Sequence, residues 1–165
     1  MVEHEAILEK LKQIPIFEEV ASDEESLRQL RGICKLRNSK QGDTIIKEGD
    51  LGDEMYIVYS GAVEIKKRTR AGDEYTVVRL RSEHNVFFGE LARVDDDKRS
   101  ASVIATEDSK FLVITNSDFQ RLGDNHPAIG LPITRAIAKI LASRLRKTTG
   151  DMLTLFDALV NELQS

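Results

Sequence analysis

What this chain lacks narrows its chemistry before any motif is considered. It has no basic surplus: 24 Lys and Arg against 28 Asp and Glu leave a formal charge of −4, the opposite of the footprint a nucleic-acid surface needs. Any anion must therefore be caught locally. Cys34 is the single cysteine, so no disulfide can close within the chain, which suits a reducing compartment. No apolar run approaches the roughly 20 residues of a membrane span, and the first residues are acidic and helix-patterned rather than basic and apolar. A cytoplasmic location, with no membrane or direct nucleic-acid partner, is the expectation. The three histidines, His4, His84 and His126, stand far apart on a patterned helix and two loops, which is not how metal ligands are clustered. No nucleophile with a neighbouring base is visible either. The chain is not expected to be an enzyme, and no cofactor or metal is expected.

What is present fits one domain. With 165 residues, 41% of them hydrophobic and 32% charged, the composition is that of a soluble globular protein with an ordinary core. Residues 1–32 carry two helical patterns: His4 to Lys12, with Ile7, Leu8, Leu11 and Ile14 on one side and Pro15 as the stop, then Ser22-Asp23-Glu24-Glu25 in capping-box form before Leu27, Leu30 and Ile33. From residue 33 to 116 the period shortens. Strand-like runs at 33–38, 44–47, 55–60, 62–68, 74–80, 101–105 and 110–115 are separated by breakers such as Gly42-Asp43, Gly49-Asp50, Gly52-Asp53 and Gly72-Asp73. Evenly spaced short strands predict a mainly β fold, an antiparallel jelly-roll-like β-barrel with flanking N-terminal helices and a long C-terminal helix. Gly49, Gly52 and Gly61 are read as turn residues needed where φ is positive.

The chemistry concentrates in Phe87-Phe88-Gly89-Glu90-Leu91-Ala92 and Arg99-Ser100-Ala101-Ser102-Val103. A glycine opening a short helical turn exposes backbone N–H groups, which attract an anion. Glu90, acceptor-only, must then hold a donor on the same ligand, and Arg99 offers a fork of donors matched to phosphate oxygens. A ribose hydroxyl attached directly to a phosphate needs both. Phe88-Gly89-Glu90-Leu91-Ala92 with Arg99-Ser100-Ala101 closely resembles the phosphate-binding cassette (residues 87–103) of cyclic-nucleotide-binding domains. The resemblance implies that Glu90 takes the ribose 2′-hydroxyl, that Arg99 takes the cyclic phosphate, and that backbone N–H groups from Gly89 to Leu91 and at Ser100-Ala101 complete the cradle. The run from Ile45 to Gly61 resembles the family's amino-terminal signature. By the same resemblance the strand Thr76-Val77-Val78-Arg79-Leu80 lines the pocket, with Val78 and Leu80 as apolar contacts or as core; simple alternation puts Thr76, Val78 and Leu80 on one face and Val77 on the other.

The approach to the cassette departs from the family. The turn Ser82-Glu83-His84-Asn85 is longer than usual, and Asn85 is the residue able to close it in a left-handed conformation. Arg93 replaces an aliphatic residue, and Asp95-Asp96-Asp97-Lys98 precedes Arg99. The three carboxylates are read as a solvated loop rather than a metal site.

Residues 117–165 complete the pattern. Asn116-Ser117-Asp118 caps a turn through Leu122, residues 123–127 read as a loop, and one long helix or two abutting ones run from Ile133 to Leu163 with Gly150 as the weak point. Ile133, Ile137, Ile140 and Arg144 form a stripe able to cover the barrel. A second stripe, Ala138, Ala142, Leu145, Thr149, Met152, Phe156, Leu159 and Leu163, has the alternating 4-3 spacing of a coiled-coil seam, so a homodimer through this helix is expected. Arg144-Leu145-Arg146-Lys147-Thr148-Thr149 resembles the start of the dimer helix in bacterial catabolite-activator-type regulators, which implies that Thr148 and Thr149 meet the purine; a polar seam position that sets register is the competing role. Ser100 does not separate cyclic AMP from cyclic GMP. The resemblance therefore implies a cyclic-nucleotide sensing module, for cyclic AMP first and cyclic GMP second, acting on an effector protein of unspecified kind. Two other classes stay open: a dimerising module that has lost its ligand, and a cupin-like metal enzyme.

Overall fold

The fold is that of a computed structural model, whose described residues are 2–89 and 98–163. Helix α1 (Val2–Lys12) and a 3-10 turn (Pro15–Phe17) lead to α2 (Glu24–Gly32). The cap of α2 is Asp23, whose carboxylate accepts from the Ser26 N–H at 2.9 Å; the cap thus falls one residue after the expected Ser22 and puts Ser26, not Glu25, at the third helical position, so it is a simple cap and not a capping box.

Among the described residues eight strands follow: β1 (Lys35–Ser39), β2 (Thr44–Ile46), β3 (Glu54–Ser60), β4 (Ala62–Arg68), β5 (Glu74–Arg81), β6 (Phe87–Phe88), β7 (Ser102–Ala105) and β8 (Ser109–Thr115). They form two antiparallel four-stranded sheets, ordered β1-β8-β3-β6 and β2-β7-β4-β5. The barrel is not closed, so the jelly-roll description is only approximate. Seven strands lie within about two residues of the sequence expectation; β6, two residues long, was not expected as a strand.

The core explains why β3 and β8 are apolar without alternation. Tyr56, Val58, Phe111 and Val113, with Phe88 of the same sheet, face the second sheet, where they meet Ile46, Val63 and Val103. Met55, Ile57, Leu112 and Ile114 face the helices, against Ile7, Leu11, Phe17, Leu27 and Ile133. A sheet covered on both faces reads as a continuous apolar run. β5, by contrast, is an edge strand exposed along nearly its whole length, and its ladder with β4 is interrupted by a bulge, with Ile65 opposite Val78 but Lys66 opposite Thr76.

The turn before β6 closes as expected: a 3-10 turn over Ser82–His84 ends on Asn85 at φ 51°, ψ 46°. Lys10 of α1 reaches across to donate to the Ser82 carbonyl and, at 2.9 Å, to the Asn85 side chain. Its burial lowers the ammonium pKa.

Helix α3 (Asn116–Asn125) is capped by Thr115, which accepts from the Asp118 N–H, not by Asn116. Gly123, Asp124 and Asn125, expected in a loop, belong to this helix, and only His126 separates it from α4 (Pro127–Leu163). The tight junction is permitted by a glycine pair: a Cβ on Gly130 would lie 2.5 Å from the Gly123 Cα. α4 is one helix of 37 residues, uninterrupted at Gly150. Ile129, Ile133 and Ile137 bury its first half against the core. From Ala142 to Leu163 every residue is exposed except half-buried Val160. Among the described residues, no helix is long and apolar enough to cross a membrane.

Candidate functional site

The site is assembled by the short pairing of β6 with β3. Phe88 lies opposite Tyr56, and their rings stack at 5.1 Å with 5° between planes, while Phe111 meets both edge-on. Such stacking holds the chain just ahead of Gly89. Gly89 has φ +79°, and a Cβ there would lie 2.8 Å from the Glu54 carbonyl oxygen, so both conformation and space require glycine.

Arg99 is fixed from both ends. Its backbone N–H donates to Asp50 O at 2.8 Å and its carbonyl accepts from Gly49 N–H at 2.9 Å. Its side chain donates from Nη2 to Glu54 O at 2.7 Å and from Nη1 to Gly89 O at 3.2 Å. The guanidinium is thus held by neutral carbonyls, which satisfy two of its five donors and leave its charge uncompensated by them. Space for it comes from Gly52, where a Cβ would lie 2.7 Å from Nε and 2.9 Å from Nη2. Gly49 and Gly61 have positive φ as expected; Gly52 does not. Its glycine is explained by room for Arg99, not by backbone conformation.

The Glu54 side chain turns the other way. Its carboxylate accepts a bidentate pair of bonds from Arg37 at 2.6 and 2.9 Å and one from the Tyr56 hydroxyl. The Arg37 bond holds the Glu54 carboxyl below the ordinary carboxylate range. Burial first, then the Glu54 carboxylate, pushes the Tyr56 phenol up to about 12. Arg37 also donates to the Tyr56 oxygen at 2.8 Å and lies 5.4 Å over its ring. One residue therefore anchors Arg99 through its backbone and ties β1 to the Tyr56–Phe88 stack through its side chain.

A cavity of about 790 Å³ opens beside this arrangement. Its lining includes the apolar Ile46, Ile65, Val78, Leu80, Phe88 and Val103, the Gly89, Arg99, Ser100 and Ala101 group, and Arg144, Lys147, Thr148 and Asp151 of α4. Among the described lining residues Lys67, Lys98, Arg99, Arg144 and Lys147 are cationic and Asp151 alone is acidic. A chain of net charge −4 thus concentrates positive charge where an anion can enter, and low-dielectric walls strengthen its field.

Of the residues singled out from sequence, Phe88, Gly89, Arg99, Ser100, Ala101, Val78, Leu80 and Thr148 all line this cavity. Thr149 does not: it is exposed, its hydroxyl donating to Leu145 O at 3.0 Å within the helix. Glu90, Leu91 and Ala92 lie outside the described residues, as do Arg93 and the Asp95-Asp96-Asp97 triplet. Among the described residues no group of three or more His, Cys, Asp or Glu could hold a metal ion.

Sequence reasoning missed several lining residues. Val77 enters the cavity beside Val78, which alternation forbids; the bulge at Ile65/Lys66 breaks the period there, and no sequence signal marks it. Lys147 and Asp151 were findable, since residues 144, 147, 148 and 151 recur at helical spacing on one face.

Three kinds of comparison agree with this fold. The family model described as "Cyclic nucleotide-binding domain" matches residues 36–126. The chain belongs to that family. It is similar to the cyclic AMP receptor protein of Thermus thermophilus, 32% identical over 137 residues that make up 83% of this chain and 60% of that protein. It is also similar to the cAMP-dependent protein kinase regulatory subunit of Mycosarcoma maydis, 30% identical over 94% of this chain and 28% of that one. Among solved structures, the Thermus thermophilus catabolite activator protein superposes with a TM-score of 0.76 at 30% identity, covering 86% of this chain and 62% of that chain. The chain thus spans less than two thirds of these relatives. The cyclic-nucleotide-binding fold, with its antiparallel sheets, N-terminal helices and long C-terminal helix, is shared with them. The family is one of regulatory nucleotide-binding modules.

Proposed function

We propose that this chain is a cytoplasmic cyclic-nucleotide sensor, with cyclic AMP as its preferred ligand, that acts as a homodimer and passes ligand occupancy to α4. The observation that carries the reading is the composition of the cavity: the anchored Arg99 and Thr148 of the long helix line the same space. In this reading Arg99 takes the cyclic phosphate, Glu90 the ribose 2′-hydroxyl, Val78 and Leu80 the apolar faces of sugar and base, and Thr148 an edge of the purine. A hydroxyl both donates and accepts, which suits adenine. Ligand held between sheet and helix shifts the helix only if it binds one arrangement better than another. Dimerisation is supported by the 4-3 seam, whose Leu145, Met152, Phe156 and Leu159 are each more than half exposed in the single chain.

Cyclic GMP is the second reading, and Asp151 is the observation that favours it. A carboxylate lining the cavity one helical turn from Thr148 can accept from both the ring N–H and the amino group of guanine.

Calorimetric titration with cyclic AMP, cyclic GMP and a linear nucleotide decides between them. At a hundred times its dissociation constant the true ligand stabilises by about 2.7 kcal/mol, which a melting curve detects. Arg99→Ala is expected to weaken binding by about 30-fold or more, roughly 2–5 kcal/mol, because a phosphate charge is left unpaired. Absence of both heat and thermal shift at millimolar ligand refutes sensing and leaves a dimerising module.

A further inference from the structure

Arg37 of β1 holds the side chain of the residue whose backbone anchors Arg99. Across β8, Arg37 lies level with Phe111 and Phe111 with Val58. Level residues of paired strands share a face, so Arg37 stands on the same face of the sheet as Glu54, Tyr56 and Val58. From there it donates to Glu54 Oε1 at 2.6 Å and Oε2 at 2.9 Å. The pair is partly withdrawn from water, with 45% of the Arg37 side chain and 25% of the Glu54 side chain exposed, so its charges act on near neighbours more strongly than those of a fully solvated pair.

Arg99 is the near neighbour that matters. Its Nη2 lies 2.7 Å from Glu54 O, and a carbonyl oxygen stands about 2.4 Å from its own Cα, which puts that nitrogen within about 5 Å of the Glu54 Cα. A glutamate carboxyl, three bonds out from Cα, can span that distance by changing rotamer. After the Arg37 bond, the larger effect, the charge of Arg99 also helps to lower the Glu54 carboxyl. Yet the carboxylate is turned to Arg37, and Arg99 is held by neutral carbonyls. Without the charge of Arg37, the Tyr56 hydroxyl is the only side-chain donor left to this carboxylate among the described residues, and a cation holds a carboxylate more strongly than a neutral hydroxyl does. Turned to Arg99, Glu54 would occupy the donors and cancel the charge that an anion needs. We propose that Arg37 is a positioning residue for the anion site: by pairing with Glu54 it keeps that carboxylate off Arg99 and reserves the Arg99 charge for the cyclic phosphate. The inference rests on the reading of Arg99 as phosphate ligand and adds to it a residue that is not among those lining the cavity.

Two measurements test it, with melting temperature recorded to establish folding: calorimetric affinity for cyclic AMP and cyclic GMP, and the Arg99 Nε–Hε signal in nuclear magnetic resonance spectra of the isotope-labelled, ligand-free protein, identified by its loss in Arg99→Lys. Arg37→Gln, which removes the charge and keeps a donor, is expected to weaken binding about five- to tenfold and to move the Arg99 signal. Arg37→Met, a second neutral variant, is expected to behave alike, and Arg37→Lys, which keeps the charge without the planar fork, to lose less. With Glu54→Gln also present, Arg37→Gln is expected to cost less than about twofold and to leave the Arg99 signal in place, because no carboxylate remains to turn. A residue that merely braces the sheet would cost the same in both backgrounds. Wild-type affinity in Arg37→Gln, an equal loss with and without Glu54→Gln, or an Arg99 signal that does not move each overturns the inference. A wild type that takes up neither nucleotide overturns the sensor reading instead, and the Arg99 signal still decides whether Arg37 keeps Glu54 away.

Discussion

Replacing Gly52 with alanine separates the placement of Arg99 from the stability of the fold. The added Cβ would stand 2.7 Å from Nε, 2.9 Å from Nη2 and 3.2 Å from Cζ of Arg99, and these atoms end a flexible side chain. The protein relieves the clash by moving the guanidinium, so ligand-free stability is expected to change by no more than about 0.5 kcal/mol. Binding behaves differently. The displaced guanidinium exchanges its 2.7 Å bond to Glu54 O and its 3.2 Å bond to Gly89 O for bonds to water at this half-buried site, which costs the fold little but leaves the group unheld. Freed of these tethers, the side chain regains rotamer entropy that a ligand must then remove, up to about 2 kcal/mol for arginine. Part of this is recovered as the ligand recaptures the group, which leaves an expected loss of about 1–2 kcal/mol, or roughly 5- to 30-fold in affinity. Calorimetry with the cyclic nucleotide, paired with melting of the ligand-free protein, measures both quantities. Wild-type affinity in Gly52→Ala would refute the claim that the carbonyl-held pose of Arg99 matters for binding, and an equal loss in ligand-free stability would show the glycine to be a fold requirement instead.

Other perturbations test the surrounding framework. Because the Arg37 bond lowers the Glu54 carboxyl, its folded pKa lies below its unfolded one; the stability it confers is complete above the unfolded value and is lost as pH falls through the folded value. Acid melts of Glu54→Gln beside wild type should therefore show a stability gap at neutral pH that closes below the ordinary value of 4.5, and a gap constant down to acid denaturation would contradict the ion pair. Tyr56 has the opposite sign, its raised phenol adding stability that is complete below the unfolded value and lost as pH rises toward about 12; ultraviolet titration should show a phenol still protonated well above 10.0 that disappears in Tyr56→Phe. Gly130→Ala forces a methyl to 2.5 Å from the Gly123 Cα, against backbone that cannot swing aside, and should destabilise by about 1–3 kcal/mol in denaturant unfolding; an unchanged midpoint would mean that α3 and α4 separate freely.

Much of the fold was legible because it obeys local periods. The strand runs from residue 44 to 80 were bounded by turn glycines, and β3 and β8 were readable even without alternation because their apolar runs are short. The errors came where tertiary contacts override local signals. Residues 123–127 look like a loop by composition, yet Gly123 belongs to α3 because α4 packs directly upon it at Gly130. Gly52 was read as a turn glycine, since nothing in the sequence places the Arg99 side chain, forty-seven residues later, against it. For the site, the polar lining of the cavity was visible as a motif, whereas the Arg37–Glu54–Tyr56 network joins residues on two strands that meet only through β8, their common neighbour. Thr148 and Thr149 were indistinguishable as a pair; helix phase alone sends one to the cavity and the other to the seam.

The continuity of α4 has a mechanical meaning. A helix without a joint between Ile137, where the core grips it, and Leu163 behaves as a rigid lever about 39 Å long at 1.5 Å per residue. A tilt of about 5° at the grip would carry the far end by about 3 Å, roughly half a helical turn. Thr148 sits less than halfway along that arm, so a shift of about 1 Å at the cavity emerges more than doubled at the tip.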